Sequence, residues 1–143
     1  MVFGRKKRRI VRLLVVEDEP LVAFDTEHFL GDAGFEIVAT VDSVAEALGH
    51  LGSSPIDLVL VDLTLADGSG MEVARAAHGR AVPVLFVTGG SPAGADAIAA
   101  GCLAKPYVQR DLLLAIDAID AVLQGGEPRK LPSGLQLFRA QAA

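Results

Sequence analysis

Short apolar runs of strand length alternate with segments of helical spacing along this chain, and nothing else in the sequence narrows the fold as much. The runs are Val11–Val16, Phe35–Ala39, Leu58–Val61, Val82–Val87 and Cys102-Leu103. The first is apolar nearly throughout, as in a strand covered on both faces. Glu19-Pro20 opens a helix with Leu21, Phe24, His28 and Phe29 at helical spacing, closed by Gly31 and Gly34. Ser43-x-x-Glu46 reads as a capping box ahead of Ala45, Leu48 and Leu51. Asp67-Gly68-Ser69-Gly70 is a turn cluster before a helix over Met71–His78. Ala95–Ala100 is a candidate short helix, and Asp111–Leu123 carries an apolar face of Leu112, Ala115, Ile116, Ile119 and Leu123. Strand–helix alternation of this kind requires parallel pairing with right-handed crossovers. The expected fold is therefore α/β, a doubly wound five-stranded parallel sheet in the order 2-1-3-4-5 with helices on both faces, flavodoxin-like.

With 143 residues the expectation is one folded unit over 10–124, a basic flexible arm over 1–9 and a tail over 125–143. Residues 1–12 hold six basic side chains and no acid, whereas the rest carries seven basic against 18 acidic groups. The arm has no reader motif behind it, so nucleic acid is not an expected partner. The single cysteine, Cys102, excludes an internal disulfide framework and a thiolate metal cluster. The apolar start, broken by Arg12 and running into Glu17-Asp18-Glu19, does not read as a signal peptide. The uncharged run Ala81–Ala95 is too short to cross a membrane. A cytoplasmic protein is expected. Leu135–Phe138 forms a small apolar cluster that could dock on the domain or on a partner, with a frayed end as the default.

In a sheet of this order, ligands gather outside the carboxyl ends of the strands. Strand one ends in Glu17-Asp18, strand three in Asp62, strand four in Thr88-Gly89 and strand five near Lys105-Pro106. One rim thus collects three carboxylates, a hydroxyl and a lysine. Three carboxylates repel one another unless a cation sits among them, and hard oxygen donors suit Mg²⁺. Carboxylate, Mg²⁺, lysine and threonine together describe phosphoryl transfer, with Asp62 placed as the nucleophile. His28, His50 and His78 lack ligand spacing and belong to the surface.

This set resembles the receiver domain of two-component response regulators, the CheY-like family, over about residues 10–124. The matching residues are Glu17-Asp18, Asp62, Gly70, Thr88 and Lys105-Pro106. Leu85-Phe86-Val87-Thr88-Gly89-Gly90 further resembles the Phe-Ala-Thr-Gly signature of the FAT GUY regulators of alphaproteobacteria, with Val87 where that signature has alanine. The resemblance implies that Asp62 accepts a phosphoryl group from a histidine kinase, HWE-type in that sub-family, or from a phosphotransferase. It implies Mg²⁺ held by Asp18, Asp62, Glu17 through water and the Thr64 backbone carbonyl. Lys105 would pair with a phosphoryl oxygen, Thr88 would bond to it in the active state, and Gly89 would keep the approach open. The switch region would comprise Thr88, Gly89, Cys102 and Tyr107. Two departures stand out: Cys102 replaces the usual aromatic three residues before the lysine, and the stretch from Thr88 to Lys105 is short. The fourth helix is therefore expected to be short, mobile or absent. Tyr107 is expected to pack.

The first functional expectation is a single-domain response regulator that acts only on itself, by phosphorylation and autodephosphorylation, and switches a face that binds an unidentified downstream protein. A haloacid-dehalogenase-like phosphohydrolase is the enzymatic alternative, but it needs a second acid where Thr64 stands. A degenerate receiver serving as a phosphorylation-independent scaffold is the third reading. A DNA-binding regulator, resting only on the basic arm, is the fourth.

Overall fold

A computed structural model describes residues 7–90 and 92–138. Its strands are β1 (Arg12–Val16), β2 (Glu36–Val41), β3 (Leu58–Val61), β4 (Thr64–Leu65), β5 (Gly68–Ser69), β6 (Val84–Thr88), β7 (Gly101–Ala104) and β8 (Leu135–Leu137). The helices are α1 (Pro20–Asp32), α2 (Val44–Ser53), α3 (Gly70–Gly79) and α4 (Gln109–Leu123). The main sheet runs β2-β1-β3-β6-β7-β8. Its first five strands are parallel, in the expected order, and β8 adds an antiparallel sixth.

Period-two alternation divides the core between the two faces of the sheet. Leu14, Val16, Val59, Val61 and Phe86 point to one side, where α2 and α3 supply Ala47, Leu51, Val73, Ala74 and Ala77. Leu13, Val15, Leu58, Leu60 and Leu85 point to the other, against Leu30 of α1 and Leu112, Ala115, Ile116 and Ile119 of α4. Both faces are covered, so β3 is apolar at every position and β1 and β6 are apolar except at Arg12 and Thr88, at their ends.

Several expectations need correction. The candidate helix over Ala95–Ala100 is a 3₁₀ turn at Ala95–Ala97, in line with a fourth helix expected to be short or absent, so four α-helices flank the sheet among the described residues instead of five. Gly89, Gly90, Pro92 and Gly94 leave too little good helix-forming sequence for a longer element. α1 forms as expected, with Pro20 at its first turn and Gly34 (φ +100°) just beyond its end. Its apolar residues are not all core, however: Leu21 is 79% and Phe24 59% exposed, and Leu30 is the one fully buried. The Ser43 hydroxyl caps α2 by accepting from the Glu46 N–H, but the complete capping box lies at Ser69 and Glu72 of α3. Leu135–Leu137, expected in a tail, closes the sheet edge.

The basic arm also departs from a free tail where it is described. Arg8 stacks on the Phe35 ring at 4.5 Å and bonds to Asp117 Oδ1 at 3.1 Å. The backbone N–H groups of Arg9 and Ile10 donate to the buried Asp120 carboxylate of α4, both at 2.9 Å. The arm's residues 1–6 lie outside the described residues. No helix among the described residues is long and apolar enough to cross a membrane.

Candidate functional site

The sheet's own hydrogen-bond ladder places the site residues. The Asp62 N–H donates to the Val16 carbonyl at 3.0 Å, which sets the end of β3 beside the Glu17-Asp18 end of β1. The Lys105 N–H donates to the Thr88 carbonyl at 2.9 Å, which ties the ends of β7 and β6 together. Four strand ends thereby converge on one rim, because parallel strands all finish on the same side.

Glu17, Asp18 and Asp62 each present a carboxylate oxygen within 4.8 Å of the others. The Lys105 ammonium sits among them, 2.8 Å from Asp62 Oδ2 and 3.2 Å from Glu17 Oε1. Glu17 is buried, and its other oxygen accepts the Glu19 N–H at 3.1 Å. Burial pushes the Glu17 carboxyl above its ordinary range, and the Asp62 charge adds to the rise against the pull of the Glu19 N–H and Lys105. Burial pulls Lys105 down, but its hydrogen bond to Asp62 and the two carboxylate charges outweigh that, and the ammonium titrates above its ordinary value. One ammonium cannot neutralise three carboxylates. The surplus negative charge and the hard oxygen donors match a small divalent cation such as Mg²⁺.

Thr88 ends β6 with its side chain buried, its Oγ1 accepting the Gly90 N–H at 3.3 Å. Its hydroxyl proton is left to donate elsewhere. Gly89 is exposed, and a Cβ added there would meet nothing within 4 Å. Tyr107 is half-buried on the flank of the site, and with Thr26 of α1, Glu17 and Asp62 it lines a narrow cleft. Burial holds the Tyr107 phenol above its ordinary pKa. Cys102 is set apart from this group. It pairs with Gln136 across β7 and β8 and packs in the core cluster that Phe138 closes, where burial pushes its thiol up.

Thr64 opens the β4–β5 hairpin, paired with Ser69. Sequence reasoning overlooked the residue that holds this hairpin. The Asp67 carboxylate accepts the Val44 N–H at 2.6 Å and the Ala45 N–H at 3.1 Å, so it caps α2 from outside that helix. Those two N–H groups hold the Asp67 carboxyl below its ordinary value. Asp67-Gly68 signalled a turn but gave no sign of which helix it would reach. Gly70 matters for a different reason: a Cβ there would lie 2.1 Å from the Asp62 carbonyl oxygen.

Comparison with known proteins agrees with this geometry. Residues 13–117 match the model of the response regulator receiver domain. The chain is 34% identical over 125 residues to the sensory transduction protein RegX3 of Mycobacterium tuberculosis, covering 80% of this chain and 52% of RegX3. It spans about half the length of such relatives. A CheY-like receiver domain protein from Methanospirillum hungatei superposes with a TM-score of 0.67 at 27% identity, over 73% of this chain and 88% of that one. The receiver domain of the sensor histidine kinase PA1611 from Pseudomonas aeruginosa, solved with a magnesium ion in its active site cleft, shares the fold with a TM-score of 0.66. That likeness is at 23% identity and covers 75% of this chain and 94% of the other. On fold, strand-end chemistry and sequence alike, the chain belongs to the response regulator receiver domains of two-component signalling.

Proposed function

We propose that Asp62 accepts a phosphoryl group from a phosphohistidine of a histidine kinase or phosphotransferase, and that the unit responsible is residues 10–124. The observation that carries this reading is the Lys105 ammonium held between Asp62 and Glu17 at the rim where Asp18 and Thr88 also lie. An Asp62 carboxylate oxygen forms the new bond to phosphorus as the phosphorus–nitrogen bond of the donor breaks, and the imidazole leaves as a neutral ring after taking a proton. Asp18, Asp62, Glu17 and the Thr64 carbonyl would hold Mg²⁺, which when bound supplies charge neutralisation at the phosphoryl oxygens. Lys105 exchanges its Asp62 contact for a phosphoryl oxygen, and Thr88 donates its hydroxyl to another. Gly89 leaves the approach clear.

Phosphoryl acceptance and hydrolysis of its own acyl phosphate make this a switch, not an enzyme with an external substrate. A phosphohydrolase would need an acid at Thr64. The cytoplasmic face of signalling is where such a donor would meet it. The Leu85–Gly90 stretch makes an HWE-type kinase the first donor to test. Arg8 and Arg9 contact Phe35, Asp117 and the Leu123 carbonyl. Incubation with Mg²⁺ and acetyl phosphate, followed by intact mass measurement, should show one added phosphoryl group that is lost in Asp62→Asn and in chelator. An adduct that persists in Asp62→Asn would overturn the assignment. So would no adduct either with acetyl phosphate or with a panel of phosphorylated histidine kinases.

A further inference from the structure

The backbone that follows Asp62 is held from two sides before it enters α3. Its hairpin, β4 and β5, pairs Thr64 with Ser69 and Leu65 with Gly68, which leaves Ala66-Asp67 at the tip. On the α3 side the hold is local in sequence. The Ser69 hydroxyl accepts the Met71 N–H at 3.1 Å, Glu72 Oε2 accepts the Ser69 N–H at 3.2 Å, and the Gly70 N–H donates to the Leu63 carbonyl at 2.6 Å. On the α2 side the hold comes from far along the chain. Asp67 Oδ1 accepts the Val44 N–H at 2.6 Å and Oδ2 the Ala45 N–H at 3.1 Å, across 23 and 22 residues.

α2 has a cap of its own without Asp67. Ser43 fills the N-cap position, and its hydroxyl accepts the Glu46 N–H at 3.1 Å. The amides of Val44 and Ala45 remain, since the first turn of a helix has no intrahelical partners for them. One carboxylate carried by the hairpin takes both, and a two-point bond fixes orientation as well as distance. The tip fits closely in that place. A Cβ at Gly68 would lie 2.5 Å from Glu72 Oε2 and 3.3 Å from Val44 Cγ2, so the hairpin is wedged between the starts of α2 and α3. Leu65 is buried in the same core cluster as Val44. The hairpin itself has only two residue pairs, too few to hold a shape in water unaided. Its conformation, and with it the placing of the Thr64 carbonyl, is therefore set by these anchors.

We propose that Asp67 is a positioning residue for the metal site: its carboxylate, clamped on the Val44 and Ala45 amides, sets the hairpin so that the Thr64 carbonyl can serve Mg²⁺. Asp67 is not among the carboxylates that share the rim, and it acts through Thr64. The inference rests on the reading of Thr64 as a metal ligand under the proposed function. Outer contacts that orient a ligand cost about 10–100-fold in metal affinity when they are removed. Coupling of this kind is reciprocal, so Mg²⁺ in turn tightens the hairpin and, through Asp67, the first turn of α2.

The test titrates Mg²⁺ by calorimetry into four full-length proteins: the parent, Asp67→Ala, Asp67→Asn and Ser43→Ala. Asp67 is exposed, so its substitutions leave the core intact. Asp67→Ala should bind Mg²⁺ about tenfold more weakly than the parent. Asp67→Asn keeps an acceptor oxygen for one of the two amides and should recover part of that loss. Ser43→Ala removes the other cap of the same helix and should leave Mg²⁺ affinity at the parent's value, which separates positioning from a general loosening of α2. Hydrogen exchange supplies a second readout. Mg²⁺ should slow the Val44 and Ala45 amides of the parent by up to about tenfold, the same coupling read from its other end, and leave them unchanged in Asp67→Ala. Equal Mg²⁺ affinity in the parent and Asp67→Ala would overturn the inference while leaving the site reading in place. An equal loss in Ser43→Ala would also overturn it, in favour of a structural role. A parent that binds no Mg²⁺ would overturn the site reading and this inference with it.

Discussion

Gly70→Ala is the substitution for which the structure gives the sharpest expectation. Gly70 is the first residue of α3, packed against the backbone that presents Asp62, and its N–H donates to the Leu63 carbonyl at 2.6 Å. A methyl group on it would stand 2.1 Å from the Asp62 carbonyl oxygen, 3.0 Å from the carbonyl carbon and 3.1 Å from Val61 Cγ2. Backbone atoms cannot swing aside as a side chain can, so α3 or the end of β3 must give way by about 1 Å to restore a tolerable contact. Overpacking of this kind costs about 1–3 kcal/mol. A displacement of about 1 Å at the acceptor costs on the order of a hundredfold in rate. Urea unfolding followed by circular dichroism reads the first quantity, and the rate of adduct formation with acetyl phosphate reads the second. Gly49→Ala is the matched control: it lies inside α2 with nothing within 4 Å of the added methyl, and should stabilise by about 0.5–1 kcal/mol. Gly70→Ala with the parent's stability and the parent's rate would refute the steric argument.

The other predictions concern charge and backbone. Because burial raises the Glu17 carboxyl, the folded state holds more protons than the unfolded chain above the ordinary value of 4.5, and stability falls as pH climbs through that window. Glu17→Gln in chelator should therefore show a higher urea midpoint than the parent at pH 7, with the gap closing below pH 4.5. Lys105→Ala removes the ammonium that competes for Asp62 and Glu17, so Mg²⁺ should bind more tightly by about 2 kcal/mol, twice the water-screened value for unit charges near 4 Å because the cation is divalent. Calorimetric titration checks this, and the same variant should accept phosphoryl groups more slowly. Ala81 is held at φ 59°, where a Cβ costs about 1–2 kcal/mol. Ala81→Gly relieves that but enlarges the unfolded ensemble by about 0.4–1 kcal/mol, for a net gain of about 0.5–1 kcal/mol in urea unfolding.

Much of the fold was legible because the pattern of burial is local. A strand covered on both faces must be apolar throughout, and Leu58–Val61 says so without reference to any other segment. Element ends were less legible. β2 continues through Thr40 and Val41, past the expected stop at Ala39, because β1 offers partners as far as Val16. The exposed Leu21 and Phe24 show the limit of periodicity: spacing identifies a helix but not which stripe meets the core.

The candidate site divides in the same way. Glu17, Asp18, Asp62, Thr88 and Lys105 were identifiable one by one as the residues at which apolar runs stop, and parallel connectivity alone requires those ends to share a rim. The sequence by itself therefore determined the alternation, the strand order and the identity of the chemical groups. Only the tertiary structure decided that Lys105 bridges Asp62 and Glu17, that Asp67 reaches across to cap α2, that Arg8 and Arg9 are docked, and that Leu135–Leu137 joins β7 as an edge strand. Each of those contacts pairs residues distant in the chain through one or two hydrogen bonds. Local propensity carries no information about such partners, since the choice among them depends on where the packed sheet brings the two ends.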